Sequence, residues 1–218
     1  MSDSVFIKRE SLVAMADAIR EVTGETRLFS LDEIRTMIAG GKGIIEKTCS
    51  SISIPKGVTA IGDCAFKQCR NLKKVNIPDG VTSIGDNSFA SCVSLESITI
   101  PSSVTSIGDH AFSDCYGLLN LEIPEGVVSI DNHAFYNCQN LESITIPSST
   151  TSIGDRAFLY CYRLRNVTIL SSAISFGELV FTSTSGSLTI NVPWSEGEVD
   201  GAPWGNSNAR INYNYIGS

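Results

Sequence analysis

A 23-residue period governs this chain. Cys69, Cys92, Cys115, Cys138 and Cys161 stand at that interval, as do Pro55, Pro78, Pro101, Pro124 and Pro147. So do Phe66, Phe89, Phe112, Phe135, Phe158 and Phe181, and Leu72, Leu95, Leu118, Leu141 and Leu164. Ile61, Ile84, Ile107, Ile130 and Ile153 form a further column, which Phe176 continues. A period of this length marks a solenoid of stacked coils. One coil cannot bury its own Phe, Ile, Leu and Cys, whereas neighbours packed on it can.

The degenerate end keeps the phase. Val167 follows Val75, Ile98, Leu121 and Ile144, and Ile190, Val192 and Pro193 fall where another repeat needs them, while Thr184 and Ser187 replace the Cys and Leu. The array therefore runs over residues 44–193, in about six coils. Within a coil, Ser97-Ile98-Thr99-Ile100 alternates as a half-buried strand does. Pro101 then removes a ladder donor, and Pro followed by Gly (Pro78-Asp79-Gly80, Pro124-Glu125-Gly126) reads as a tight turn. Val104-Thr105-Ser106-Ile107 makes a second short strand. Gly108 breaks it, and Asp109 is expected to cap a helical turn over residues 110–115. The fold class expected is a β-rich α/β solenoid with a ~4.8 Å advance per coil.

The repeat unit Ile-Pro-x-x-Val-Thr-Ser-Ile-Gly-Asp-x-Ala-Phe-x-x-Cys-x-x-Leu-x-x-Ile-Thr closely resembles the leucine-rich repeats of the BspA-like (Treponema pallidum type) family. The resemblance covers the array. It implies a right-handed leucine-rich-repeat solenoid used for adhesion or protein binding at bacterial surfaces, without catalysis.

Residues 1–43 lack the period. Leu12, Ala16 and Ile19 recur at helical spacing, Thr23-Gly24 stops that helix, and Ser30-Leu31-Asp32-Glu33 forms a capping box before Ile34 and Ile38. A small α-helical hairpin is expected, serving as a solenoid cap, as an attachment module, or as both. Glu10-Ser11-Leu12-Val13-Ala14-Met15-Ala16-Asp17-Ala18-Ile19-Arg20, with Leu31-Asp32-Glu33-Ile34, is similar to N-terminal segments of phage and prophage tail-associated proteins. Residues 194–218 form a Gly- and aromatic-rich C-terminal cap, similar to tails that follow BspA-like repeats in such proteins. Trp194, Trp204, Tyr213 and Tyr215 are expected to cover the last coil's strand edges.

The 218 residues carry a net charge of −7 and are 42% hydrophobic, which excludes wholesale disorder and gives no electrostatic footprint for nucleic acid. No window reaches the apolar length of a membrane span, and the N-terminus shows no signal-peptide h-region. That fits a tail component made in the cytoplasm and carried on the virion; the alternative is a secreted or cell-surface adhesin.

Seven cysteines suggest disulfides or metal, but no C-x-x-C occurs and five share one inward column, so buried thiols are expected. His110 and His133 share a repeat position that elsewhere holds Cys64, Asn87 and Arg156, and read as exposed residues. Asp63, Asp86, Asp109 and Asp155, with Asn132 as an equivalent, read as caps and not as calcium ligands. No Walker A loop, H-E-x-x-H, Gly-x-Ser-x-Gly or Cys/His dyad is present. No enzyme activity, catalytic residue, cofactor or metal is expected. The candidate binding surface is the outer strand face: Lys73, Lys74 and Asn76; Glu96, Ser97 and Thr99; Leu119, Asn120 and Glu122; Glu142, Ser143 and Thr145; Arg165, Asn166 and Thr168. The expected partner is a protein or glycan on a bacterial surface, with residues 1–43 available to other tail proteins.

Overall fold

The structure is a computed structural model that describes residues 50–54, 56–196 and 204–215. The expected hairpin over residues 1–43 lies outside the described residues. Among the described residues, fourteen strands form two walls of a solenoid. The first wall holds β1 (Ser51–Ser53), β3 (Lys74–Asn76), β5 (Ser97–Thr99), β7 (Asn120–Glu122), β9 (Ser143–Ile146), β11 (Asn166–Ile169), β13 (Thr189–Asn191) and β14 (Arg210–Asn212). The second holds β2 (Ala60–Ile61), β4 (Ser83–Ile84), β6 (Ser106–Ile107), β8 (Ser129–Ile130), β10 (Ser152–Ile153) and β12 (Ser175–Phe176). The second wall is one six-stranded sheet, and the first is a three-stranded sheet, β1-β3-β5, beside a five-stranded one, β7-β9-β11-β13-β14.

Every pairing is parallel, and the register follows the sequence period. Val75 lies opposite Ile98, Ile144 opposite Val167, and Ile107 opposite Ile130. The last pair breaks the interval: Thr189 lies opposite Arg210, two residues short of a full repeat. The solenoid thus makes about seven turns, one more than the period alone counts, because β14 in the C-terminal segment adds a rung.

The core is a set of identical stacks. Phe66, Phe89, Phe112, Phe135, Phe158 and Phe181 pile with centroids 5.1–5.5 Å apart. The first five are within 7° of parallel, pair by pair. Trp204, 23 residues beyond Phe181, ends the pile with its ring edge-on at 6.3 Å and its face 4.0 Å from Phe176. Trp194 packs edge-on against Trp204, and both tryptophans are buried. The two tryptophans thus close the phenylalanine pile, while the strand edge of β13 is paired by β14 and not by an aromatic ring.

The third side of each coil differs from the expectation. No helical turn forms among the described residues 110–115; this stretch is a run of hydrogen-bonded turns. Within a coil Ala111 N donates to Gly108 O and Ser113 N to His110 O. The alternate amides instead reach the next coil, as from His110 N to Asn132 O and from Phe112 N to Ala134 O. That alternation requires two left-handed residues per coil. Cys64, Asn87, His110, His133, Arg156 and Leu179 make one such column (φ 54–58°), and Gln68, Ser91, Asp114, Asn137, Tyr160 and Ser183 the other (φ 55–65°). Polar side chains, above all Asn, Asp and His, tolerate this region best, which explains most of both columns.

The stacked core yields one stability prediction. Phe112→Ala opens a cavity between Phe89 and Phe135 and should cost about 3–5 kcal/mol. A far-UV melting curve identical to that of the parent would contradict the continuous stack.

Candidate functional site

Alternation on the first wall sorts residues into core and surface. On β5, Ile98 is buried between exposed Ser97 and Thr99, and on β3 Val75 lies between exposed Lys74 and Asn76. The outward positions form three columns running along the solenoid. They place Lys73, Lys74, Asn76, Glu96, Ser97, Thr99, Leu119, Asn120, Glu122, Glu142, Thr145, Arg165 and Asn166 in solvent, with Ser143 and Thr168 half-buried. Lys73 Nζ pairs with Glu96 at 3.1 Å, both side chains being more than half exposed, so the pair adds little to stability. Ser143 Oγ donates to Asn120 Oδ1 at 3.0 Å, and Asn212 Nδ2 to Asn191 Oδ1 at 2.8 Å. Leu119, 48% exposed, is the one apolar member of the set. The face is a lattice in which long Lys, Glu and Arg side chains of both signs alternate with short Ser, Thr and Asn side chains.

A second outer surface was not singled out by the period. On the turn side, His110 and His133 lie with ring centroids 4.5 Å apart. Tyr136 follows at 5.6 Å from His133, Tyr160 at 5.5 Å from Tyr136, and Tyr162 at 5.8 Å from Tyr160. Tyr162 is 53% exposed, and the others are half-buried. Beside them Asn137 Nδ2 donates to Asp114 Oδ1 at 2.7 Å and to Tyr116 Oη at 3.3 Å, while Gln139 Nε2 donates to Asn137 Oδ1 at 3.0 Å. Burial, then His110 and Arg156, hold the His133 imidazole below its ordinary range, so this ring is neutral at pH 7. The signal was in the composition: four of six tyrosines and both histidines fall between residues 110 and 162.

The aspartate column works differently from a helix cap. Asp63 Oδ1 accepts the amide of Asp86, Asp86 Oδ1 that of Asp109, Asn132 Oδ1 that of Asp155, and Asp155 Oδ1 that of Glu178. Each side chain therefore ties its own coil to the next. Glycine must precede each acceptor's partner, since a Cβ at Gly108 would lie 2.5 Å from Asp86 Oδ1. Asp131 occupies that glycine column, and there the ladder fails: Asp109 Oδ1 is buried with no hydrogen-bond partner. An open cleft of about 370 Å³ lies at the fault, lined in part by Asp86, Asp109, Asp131 and Asn132. The Asp131 carboxyl is pushed above its ordinary range by partial burial and by the charges of Asp109 and Asp86, against a Ser129 hydrogen bond that lowers it.

The thiol column is inward. Cys92, Cys115, Cys138 and Cys161 Sγ donate to the carbonyls of Phe66, Phe89, Phe112 and Phe135 in the preceding coils, at 3.0–3.2 Å. Burial raises these thiols; Cys161 is pushed up to about 12 and the other three rise well above the ordinary range. Among the described residues, no group of three or more His, Cys, Asp or Glu side chains is arranged to hold a metal ion, and no helix is long and apolar enough to cross a membrane.

The sequence profile of the BspA type leucine-rich repeat region matches residues 45–126 and 82–207, in six copies. The chain belongs to the BspA-type leucine-rich-repeat family. Among curated protein sequences none matches it. Solved structures do. A leucine-rich cell surface protein of Faecalibacterium prausnitzii A2-165 is 39% identical over 57% of this chain, with a TM-score of 0.55. This chain covers 33% of that protein's length. The T. pallidum leucine-rich-repeat protein is 26% identical over 62% of this chain and 76% of its own, with a TM-score of 0.57. A leucine-rich-repeat protein of Bacteroides ovatus is 28% identical over 75% of this chain and 51% of its own, with a TM-score of 0.55.

Two predictions follow from the ladders of this BspA-type solenoid. Asp131→Gly should let Asp109 bond the Asn132 amide and raise stability by about 1 kcal/mol in chemical denaturation. A carboxyl whose folded pKa is raised costs stability above that pKa, so the gain should be full at neutral pH and shrink as Asp131 protonates in acid. A neutral-pH midpoint at or below the parent's would contradict the ladder. Separately, the thiols of Cys92, Cys115, Cys138 and Cys161 should resist an aromatic disulfide reagent in the native protein and react at once in guanidinium chloride; prompt native labelling would show that the column is open.

Proposed function

We propose that this chain is a non-enzymatic, protein-binding display module of a bacterial surface, adhesive in character, which engages its partner through the outer strand face. The observation that carries this reading is the division of labour between columns. Inward positions keep one residue (the Phe, Cys and Leu columns) or one apolar class (Val75, Ile98, Leu121, Ile144 and Val167) from coil to coil, whereas the outward positions of β3, β5, β7, β9 and β11 mix Lys, Asn, Ser, Thr and Glu, from Lys74 and Asn76 through Asn120 and Glu122 to Asn166 and Thr168. Stacking needs the first set and places no demand on the second, so the second is where recognition can be written. The likeness to a protein described as a leucine-rich cell surface protein supports the location. That the sequence carries no Gly-x-Ser-x-Gly, H-E-x-x-H or Cys/His dyad supports binding over turnover.

The same scaffold would serve on a phage or prophage tail, the location to which the wording of residues 10–40 points. Those residues lie outside the described structure, so the two locations are separated by experiment. Protease shaving of intact cells should release peptides from residues 50–196, whereas their recovery from purified virions would assign the chain to the tail. A photo-crosslinking residue at Thr99 or Thr145 should trap a surface protein on intact target cells that the same residue at Ser106, on the second wall, does not. Equal trapping at all three positions, or none, would overturn the strand-face reading.

A further inference from the structure

The turn-side ridge needs an explanation that folding does not provide. Tyr160 is held at φ 65°, a backbone conformation that bulky side chains avoid. Equivalent positions in neighbouring coils hold the small polar residues Asp114, Asn137 and Ser183. The tyrosine ring fills no core cavity: it is half-exposed and touches only Tyr136 and Tyr162 among the aromatic rings. His110 and His133 occupy the other left-handed column in the same three coils. One bulky ring, Tyr160, held against backbone preference within a run of neighbouring aromatic rings on an outer ridge marks a surface kept for contact.

We propose that the ridge running from His110 to Tyr162, flanked by Asp114 and Asn137, is a glycan-binding strip lying along the solenoid axis. This site is distinct from the strand face and goes beyond the function proposed for it. A pyranose ring has an apolar C–H face and a rim of hydroxyls. It is held by an aromatic ring against the face and by planar carboxylate or amide groups at the rim, and tyrosine supplies an apolar body with a polar tip. Here both kinds of group alternate side by side. Asp114 Oδ1 takes the Asn137 amide, and among the described residues nothing hydrogen-bonds its Oδ2. The Asp114–Asn137–Gln139 chain is already fixed by its own bonds, which lowers the ordering cost of accepting a ligand.

Size favours a glycan over a protein at this place. The ridge spans three coils, about 14 Å at the inter-strand spacing, and is one or two side chains wide. A stable protein interface requires roughly 800 Å² per partner, far more than such a strip offers. A short oligosaccharide requires no more than it has.

The test uses the full chain and a panel of neutral oligosaccharides, namely chitohexaose, cellohexaose, xylohexaose and a soluble mannan, read by saturation-transfer NMR and calorimetry. At least one should receive saturation. The double variant Tyr160→Ser and Tyr162→Ser installs the residues that the next coil already carries at Ser183 and Ser185, so the fold should persist, as circular dichroism would check. Its affinity should fall at least about tenfold, while Ser106→Ala on the second wall should leave binding unchanged. No saturation transfer across the panel, undiminished binding by the tyrosine variant, or ridge-dependent binding only to a protein would each overturn the proposal. None of these results bears on crosslinking from Thr99 and Thr145, so the strand-face reading stands or falls separately.

Discussion

Backbone hydrogen bonding between coils, in constant register, is the constraint from which the rest of this structure follows. Each coil offers three edges to the next: the two strand walls and the turn side, where alternate amides reach across to the following coil. Because successive coils are held at the inter-strand spacing, every side chain must sit above an equivalent one. A ring can follow only something that stacks on a ring, and a thiol must find the same carbonyl each time. The near-parallel phenylalanines and the cysteine Sγ bonds are consequences of that spacing rather than separate devices. Cooperativity is therefore one-dimensional, and a fault in one rung is felt chiefly by its two neighbours.

Asp131 shows how such a fault spreads. In the other coils the glycine before the aspartate leaves room for the preceding side chain to reach its amide. With a Cβ and a carboxylate at that place, Asp109 loses its acceptor role, and two like charges are brought together in a cleft. The defect lies in the glycine column of one coil, while the atom left unsatisfied lies in the coil before it. Reading a single repeat in isolation would never connect the two.

The same dependence of each coil on its neighbour decides which features are legible in the sequence. Columns of Phe, Cys, Leu and Ile announced the solenoid, its spacing and its buried thiols, because these residues repeat without exception over most of the array. The Gly-Asp-x-Ala-Phe segment predicts a capped helical turn, which the structure replaces with turns bonded between coils. Locally it has the chemistry of a helix start, and only its partners in the next coil reveal that the amides are bonded between coils and the aspartate belongs to a ladder. β14 escaped because its register to β13 is 21 residues, so a strict 23-residue comb passes over Arg210–Asn212, although Trp204 lies on the comb at the end of the phenylalanine stack. The ridge escaped for the opposite reason. His110, Tyr136, Tyr160 and Tyr162 occupy columns that vary, and a variable column judged by itself looks like a solvated surface; their kinship appears only when columns from three coils are laid side by side.

Two outer surfaces on one rod, each with its own chemistry, bear on how such a protein would hold a target. The strand face is a lattice of long charged and short polar side chains, and the ridge is narrow, aromatic and locally braced by hydrogen bonds. Neither has the large apolar centre that gives tight one-to-one association. Weak contacts become useful when they are repeated, because the second engagement of a tethered pair draws on a high effective concentration instead of a fresh encounter. A rod whose recognition positions recur at a constant step is matched to targets that are themselves arrayed, whether a polymer of sugar units along the ridge or densely displayed proteins across the strands. Affinity for an isolated unit should then be modest, and retention on a crowded surface much stronger. That is the behaviour the stacking constraint makes available, since it fixes the spacing of the outer residues as firmly as it fixes the core.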